Sequence, residues 1–261
     1  MAPRLIRGIT RAGAGDLLML SAASNPRRSR KHVSMTYLFD PPPVPALPIV
    51  GSDKLFPVHR IYCVGRNYAE HTREMGFDPD KEPPFFFMKA PDTLVTDGRF
   101  PYPSASNEVH WEIELVVALK SGGVDIPHSQ AMEHVYGYAV ALDMTRRDLQ
   151  GVAKKMGRPW EVGKSFEKAT PCSAVQPAEK VGHPTTGAIW LDVNGERRQT
   201  GDLSQMIWDI PSQINYLSGL WELRAGDLIL TGTPAGVGAV KRGDRLHGHV
   251  EGIGDLEVTV V

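Results

Sequence analysis

The sequence is poor in cysteine, in long apolar runs and in net charge, and each shortage excludes a class of protein. Its two cysteines, Cys63 and Cys172, lie far apart and outside any metal-binding spacing, so we expect buried thiols rather than a disulfide framework. No apolar run approaches the roughly 20 residues that a membrane span needs. A formal net charge of -1 gives no electrostatic reason to expect nucleic acid or an anionic membrane as a partner.

The motifs of several common enzyme classes are also missing. The chain has no Gly-x-Ser-x-Gly elbow, which disfavours a covalent serine hydrolase. The glycine-rich run Thr231–Gly238 is neither a Walker loop nor a dinucleotide fingerprint. Its glycines let backbone N–H groups approach an anion, and Thr231 and Thr233 add hydroxyl groups; a plain turn is the alternative.

Acidic residues are scarce at the amino terminus, where residues 1–34 carry seven Arg or Lys residues and one acid, Asp16. Such a composition is typical of an organelle transit peptide, which would place the protein in mitochondria. The alternative that we favour is a true start at Met35 and a cytoplasmic protein. In either case we expect residues 1–34 to be poorly ordered and outside the fold, followed by an extended segment over 35–59 and a catalytic domain over 60–261.

The periodicity beyond residue 59 predicts a β-rich α+β protein, because the strands do not alternate regularly with helices. The Asn194-Gly195 dipeptide predicts a tight β-hairpin, and residues 77–84 a mobile loop. We predict strands over 60–64, 85–88, 109–119, 136–142, 188–193, 196–199, 227–230, 247–250 and 256–260. We predict helices over 68–75, capped by Asn67, over 145–156, and over 204–220 with a new start near Pro211.

Two carboxylates share one strand face in this prediction. Glu112 and Glu114 lie two residues apart in the strand over 109–119, so their side chains point the same way. Side by side in an apolar strand they repel each other and lose hydration, and a divalent cation would relieve both problems. An edge strand with one solvated face is the alternative.

Asp143 is the natural third ligand, because it ends the apolar strand over 136–142. A carboxylate buried there costs several kcal/mol unless it is compensated. With Glu112 and Glu114 it would form a three-carboxylate site with open positions for water and a chelating substrate. Taken alone, Asp143 is equally well explained as the N-cap of the helix that starts at Thr145.

A base and an anion-stabilising cation are also present. His71 and Glu74 are neighbours on the predicted short helix, and a carboxylate beside an imidazole raises its basicity. Lys164 lies in a strand-like stretch from which it would point into a pocket. An exposed helical pair and a solvated lysine are the alternatives.

Cationic side chains follow Asp143 directly. Arg146 or Arg147 would clamp a carboxylate through two hydrogen bonds. Gln150 lies one turn further along the same helix face.

Together these motifs resemble the fumarylacetoacetate hydrolase family, and their order and spacing resemble its small acylpyruvase branch. The resemblance covers about residues 60–261 and extends weakly upstream to Met35. It is carried by the runs 61–71, 75–80, 82–87, 112–114, 142–150, 163–166 and 230–238.

The resemblance implies a mixed β-sandwich roll with short peripheral helices and a homodimer. It implies Mg²⁺ or Mn²⁺ held by Glu112, Glu114 and Asp143, and a lid helix that carries His71 and Glu74. It further implies the following contacts with substrate: Lys164 with a keto-enolate, Thr233 with a carboxylate, and Arg147 and Gln150 in support.

The implied reaction is hydrolysis of a carbon–carbon bond in a 2,4-diketo acid. Fumarylpyruvate, cleaved to fumarate and pyruvate in gentisate-type aromatic degradation, is the expected substrate. The alternative within the family is decarboxylation or isomerisation of a 2-oxo diacid such as oxaloacetate. The distal carboxylate of a fumaryl group needs a cation. Arg66, Arg73, Lys89 and Arg158 are the candidates, and the sequence does not choose between them.

Overall fold

The computed structural model describes residues 36–74, 76 and 83–261. The chain divides into two units at Pro42, and the fold described below belongs to the second, Pro43–Val261. The amino-terminal segment 1–34 and residues 77–82 of the predicted loop lie outside the described residues.

The second unit is rich in sheet and has few helices, which confirms the predicted α+β class. Its strands are β1 (Ala46–Pro48), β2 (Leu55–Pro57), β3 (Arg60–Gly65), β4 (Phe85–Lys89), β5 (Leu94–Val95), β6 (Arg99–Phe100), β7 (Val109–Trp111), β8 (Ile113–Leu119), β9 (Val135–Leu142), β10 (Thr145–Arg146), β11 (Thr170–Pro171), β12 (Gln176–Pro177), β13 (Ala188–Val193), β14 (Glu196–Asp202), β15 (Asp227–Leu230), β16 (Gly238–Ala239), β17 (Arg245–Val250) and β18 (Gly254–Val260). Its α-helices are α1 (Ala69–Glu74), α2 (Arg147–Lys155), α3 (Glu161–Lys164), α4 (Ala178–Val181) and α5 (Ile210–Leu220). Short 3₁₀ turns cover Pro91–Thr93, His128–His134 and Leu203–Gln205.

Two large sheets form the body of the fold. The first is mixed, with strand order β12-β9-β8-β15-β3-β4, in which β15 runs parallel to β3 and antiparallel to β8. The second has the order β14-β13-β17-β18-β6. A smaller sheet has the strand order β10-β7-β16, and its strands pair with those of neither large sheet.

The two faces of β8 enter two different hydrophobic clusters, as the two-residue period of a strand requires. Ile113 and Leu115 belong to the larger cluster, together with Leu191 and Val250 of the second sheet. Val116 belongs to the smaller cluster, which also takes residues of β1 and β2. The first sheet is therefore covered on both faces, and Glu114 lies on the face of Val116.

The prediction of one continuous strand over 109–119 is wrong, because the strand is interrupted at Glu112. Residues 109–111 pair with β10 and β16, whereas residues 113–119 pair within the first large sheet. At the break, the Ile113 N–H donates to the side chain of Gln199 at 3.1 Å, and the Glu112 carbonyl accepts from the Asp143 N–H at 2.8 Å. Glu112 thus stands at the corner where the chain changes sheets.

Other local predictions met mixed outcomes. The hairpin at Asn194-Gly195 is confirmed, with φ of 53° and 83° at the two turn residues. The helix predicted from Thr145 begins at Arg147, after the short strand β10. Asn67 uses its side chain differently from the predicted cap: its amide donates to the Trp208 and Thr231 carbonyls, and its oxygen accepts from the Trp208 N–H.

One edge of the first sheet gathers the candidate residues. Strands β3, β9 and β15 end there and β8 begins there, because β8 is antiparallel to both β9 and β15. Asp143 follows the end of β9, and Thr231-Gly232 follow the end of β15. Among the described residues, no helix is long and apolar enough to cross a membrane.

Close backbone packing at Gly137 gives a test of the sheet. A Cβ atom there would lie 2.1 Å from the carbonyl oxygen of Gln176 on the neighbouring strand β12. We expect Gly137→Ala to lower the free energy of unfolding by about 2 kcal/mol, because backbone rather than a flexible side chain would have to move. Gly123→Ala is the control, since its nearest neighbour would be Ile126 at an ordinary 3.6 Å. Equal urea midpoints for the two variants would contradict the packing described.

Candidate functional site

Three buried carboxylates meet at this edge of the sheet. One oxygen each of Glu112, Glu114 and Asp143 lies within 4.8 Å of the others, and all three side chains are buried. Glu112 comes from the break before β8, Glu114 from β8 itself, and Asp143 from the residue after β9. The structure therefore brings together the three residues predicted as metal ligands.

Cations contact two of the three carboxylates. The Lys164 ammonium group donates to Glu112 at 2.6 Å and to Asp143 at 2.7 Å. Lys89 donates to the other oxygen of Asp143 at 2.6 Å, and Arg147 to the other oxygen of Glu112 at 2.6 Å. Asp143 is thus held by two ammonium groups, and the N-cap alternative is wrong: the N-cap residue of α2 is Arg146, and no side chain caps that helix.

The two glutamates have opposite electrostatic surroundings. Burial would raise the pKa of Glu112, but Lys164 and Arg147 hold that pKa well below its usual range. Burial, and then the charges of Asp143 and Glu112, raise the pKa of Glu114 well above its usual range. Burial would lower the pKa of Lys164, yet Asp143 and Glu112 raise it to about 12. Glu114 is therefore the least compensated charge in the cluster.

The predicted imidazole–carboxylate pair forms on α1. His71 Nδ1 lies 3.2 Å from a carboxylate oxygen of Glu74. Because that contact assigns the proton to Nδ1, the other ring nitrogen of His71 is left as a proton acceptor. Burial lowers the pKa of His71, although Glu112 and Glu74 oppose the shift, so the ring is neutral at neutral pH.

Backbone N–H groups of the glycine-rich turn over 231–238 donate to carboxyl groups of the protein itself. The Gly232 N–H donates to Glu114 at 2.7 Å, and the Gly236 N–H lies 3.3 Å from Glu74. Both glycines have positive φ, 97° and 96°, and a Cβ at Gly236 would lie 2.2 Å from the Arg198 carbonyl oxygen. Only glycine fits there.

Most of the predicted site residues line one pocket. Arg66, His71, Glu112, Glu114, Asp143, Arg147, Gln150, Lys164 and Thr233 all contribute to its wall. Thr233 accepts from the Gln199 amide at 2.9 Å, and Arg147 donates to Gln150 at 2.8 Å. Lys164 reaches the pocket from the last turn of α3 rather than from the strand-like stretch that we predicted.

The structure corrects the prediction for Lys89. We predicted that it would bind the distal carboxylate of the substrate, but its side chain is buried and is not part of the pocket wall. Its ammonium group is engaged by Asp143 and by the Met144 carbonyl at 3.2 Å. Lys89 therefore supports a carboxylate of the protein.

The pocket also contains side chains that sequence reasoning missed. These are Lys154 on α2, Trp160 before α3, and Phe85 and Phe87 on β4. Helical periodicity contains a signal for the first of them, because positions 147, 150 and 154 share one helix face. The aromatic residues carry no comparable local signal, since their place depends on how β4 packs against the segment before α3.

The chemistry of the cluster fits a divalent cation. Hard cations such as Mg²⁺ and Mn²⁺ take carboxylate oxygens as ligands. The raised pKa of Glu114 shows that its negative charge has too little compensation from protein groups alone. Glu112, Glu114 and Asp143 would hold such an ion.

The family model "Fumarylacetoacetate (FAA) hydrolase C-terminal" matches residues 60–261. The chain belongs to the fumarylacetoacetate hydrolase family. The family and the enzyme class predicted from the sequence, a hydrolase of carbon–carbon bonds, are thereby confirmed.

Relatives within the fumarylacetoacetate hydrolase family include proteins named as hydrolases and proteins named as tautomerases. The crystal structure of fumarylpyruvate hydrolase from Pseudomonas aeruginosa, in complex with Mn²⁺ and pyruvate, is 55% identical with a TM-score of 0.85, covering 87% of this chain and 99% of that one. A fumarylpyruvate hydrolase of a Ralstonia species is 46% identical over 189 residues, 71% of this chain and 98% of its own. The mitochondrial oxaloacetate tautomerase of Rattus norvegicus is 45% identical over 202 residues, 77% of this chain and 90% of its own.

Glu114 gives a test of the cluster that does not need a substrate. Because the folded state holds a proton on Glu114 more tightly than the unfolded chain does, the chelator-treated protein loses stability as the pH rises above the usual glutamate pKa. We expect Glu114→Gln to raise the stability of that protein at pH 8 by about 1 kcal/mol and to abolish any stabilisation by Mn²⁺.

The control is Glu257→Gln, at an exposed position of β18. It should leave both the unfolding midpoint and the response to Mn²⁺ unchanged. A Glu114→Gln variant that Mn²⁺ stabilises as strongly as it stabilises the wild type would rule out Glu114 as a ligand.

Proposed function

We propose that the protein is a metal-dependent hydrolase of 2,4-diketo acids that cleaves fumarylpyruvate to fumarate and pyruvate. The observation that carries the proposal is that one pocket holds both the carboxylate cluster and His71 paired with Glu74. A Lewis-acid site and a neutral imidazole base are the two functions that such a hydrolysis needs.

The cofactor that we propose is Mg²⁺ or Mn²⁺ at Glu112, Glu114 and Asp143. When bound, it supplies Lewis-acid polarisation of the 2-keto group and a template for the pyruvyl end of the substrate. The Mn²⁺ and pyruvate in the Pseudomonas aeruginosa enzyme support this assignment. Arg147 fixes Glu112 for this role through its 2.6 Å contact.

The protein's own groups perform the proton transfers. His71, oriented by Glu74, accepts a proton from the water that adds to the C4 carbonyl carbon. The C3–C4 bond then breaks, its electron pair passes to the pyruvyl fragment as an enolate, and the acyl carbon leaves as a carboxylate. A proton added at C3 completes pyruvate.

Lys164 and Thr233 would stabilise this path. Lys164 remains charged at neutral pH because its pKa is raised to about 12, so it offers a cation to the departing enolate. Thr233, fixed by Gln199, would hold the substrate carboxylate. Helix α1 carries the base, and in this proposal it also acts as a lid that excludes water from the pocket.

Tautomerisation of oxaloacetate is the second candidate, because the Rattus norvegicus relative is named for it. It would use the same carboxylate cluster on a shorter 2-oxo diacid. Hydrolysis is better supported, since the Pseudomonas aeruginosa structure matches a larger share of this chain at higher identity.

A direct assay separates the two activities. With Mg²⁺ or Mn²⁺, we expect fumarylpyruvate to lose its diketo-enolate absorbance and to yield fumarate and pyruvate in equal amounts, and we expect chelator to stop the reaction. A parallel assay follows the enol–keto conversion of oxaloacetate. Turnover of oxaloacetate alone would refute the hydrolase proposal.

The proposed base gives a sharper prediction. We expect His71→Ala to lower kcat for fumarylpyruvate by about 10²–10⁴-fold, the usual contribution of a general base, while stabilisation by Mn²⁺ is retained. Glu70→Ala, an exposed position on the same helix, is the control and should retain full activity. Unchanged turnover in the histidine variant would rule out this base.

The homodimer, the cytoplasmic location and the role in aromatic degradation stay predictions from the sequence. The oligomeric state is measured directly by light scattering of the purified protein. A monomeric mass would refute the dimer.

A further inference from the structure

We infer that Lys154 is the specificity-determining cation of the pocket, which binds the second, distal carboxylate of a dicarboxylic diketo acid. This inference rests on the proposed function and adds the group that selects the acyl half of the substrate. Lys89, one of the candidates that the sequence offered for this role, is buried and its ammonium group is engaged by Asp143.

The position of Lys154 follows from the face of α2 that lines the pocket. Arg147, Gln150 and Lys154 all contribute to the wall. Arg147 contacts Glu112 at 2.6 Å, so the first turn of α2 lies at the carboxylate cluster. Lys154 follows Arg147 by seven positions on the helix, which places it about 10 Å further along the helix axis. One end of an elongated substrate therefore meets the cluster while the other lies toward Lys154.

Lys154 is the cation of this helix face that no protein carboxylate engages. Arg147 is paired with Glu112, and Lys164 is paired with both Glu112 and Asp143. Lys154 forms no ion pair with any residue that the structure describes, and its ammonium group lies 4.9 Å from the centre of the Trp160 ring. A half-buried cation without an anionic partner, in a pocket, is suited to an anionic ligand.

The electrostatic surroundings support the same conclusion. Burial, and then the positive charge of Arg147, lower the pKa of Lys154 to about 8. Among the residues that the structure describes, the cations near Lys154 thus outweigh the acids in their effect on its pKa. A carboxylate from the substrate would relieve that repulsion.

The walls between the cluster and Lys154 suit a flat, conjugated acyl chain. Trp160 packs edge-to-face on Phe85, with ring centres 5.2 Å apart, and lies 5.7 Å from Phe87. All three rings line the pocket. Trp160 lies against the Lys154 ammonium group, and the rings offer an apolar surface to the carbons between the two carboxylates.

The test compares two substrates that differ at the distal carboxylate. Fumarylpyruvate carries it, and acetylpyruvate does not. We expect Lys154→Met to lower kcat/KM for fumarylpyruvate by about 10- to 100-fold, the usual value of a hydrogen bond between charged groups, mainly through KM. Activity on acetylpyruvate should change less than about twofold, which also shows that the variant folds.

Two variants serve as controls. Lys155→Met removes the adjacent, exposed charge of α2 and should leave both substrates unaffected. Lys154→Arg keeps the charge and should retain most of the preference for fumarylpyruvate. Equal losses on the two substrates, no loss on fumarylpyruvate, or a selective loss that appears only in Arg66→Met would overturn the inference.

The failure of the proposed function remains distinguishable from the failure of this inference. If the wild type turns over neither diketo acid, the proposed function is wrong. Calorimetric titration with fumarate and with acrylate then decides the role of Lys154. A wild-type preference for fumarate that disappears in Lys154→Met supports the inference, and the absence of any preference overturns it.

Discussion

The structure depends on the neutralisation of three carboxylates that the fold buries at one sheet edge. Each would cost several kcal/mol if left uncompensated in such a place. The compensation comes from separate elements of the chain: Lys89 at the end of β4, Arg147 at the start of α2 and Lys164 at the end of α3. These ion pairs therefore fix the positions of β4, α2 and α3 around the carboxylates, and these elements form the pocket wall.

The compensation is unequal, and the inequality has a chemical consequence. Both oxygens of Glu112 and of Asp143 accept from cations, whereas Glu114 receives a single backbone N–H from Gly232. Asp143 and Glu112 are thus held in place by cations before any ligand binds. Glu114 is the carboxylate whose ionised form a divalent ion would stabilise most, because its pKa is raised by burial and by the charges of Asp143 and Glu112.

Local pattern predicted much of the fold and of the site, because both are encoded partly in short-range periodicity. The hairpin at Asn194-Gly195 and the pairing of His71 with Glu74 need only neighbouring residues. The family resemblance supplied the grouping of distant residues, which no single-sequence periodicity contains.

What the sequence could not predict depends on contacts between distant segments. At the break at Glu112, the acceptor for the Ile113 N–H comes from Gln199, far along the chain. Lys89 was a candidate for the substrate because it is one of several cations in the sequence, and only the packing of β4 against Asp143 shows that its ammonium group is engaged by the protein. Helical periodicity could have placed Lys154 on the same helix face as Arg147. Its role as a substrate-binding cation can be inferred only from the structure, in which Arg147 and Lys164 are paired with carboxylates of the protein.

The glycine-rich turn after β15 links the two halves of the proposed chemistry. Through Gly232 it holds a carboxylate of the cluster, and through Gly236 it holds the glutamate that orients the imidazole. Both positions have a backbone conformation that strongly favours glycine, and neighbouring atoms leave no room for a Cβ at either. Because only three residues lie between the two glycines, the turn sets the spacing between the cluster and the base. A segment that resembles a phosphate-binding loop in composition thus serves here to align two acidic side chains of the protein itself.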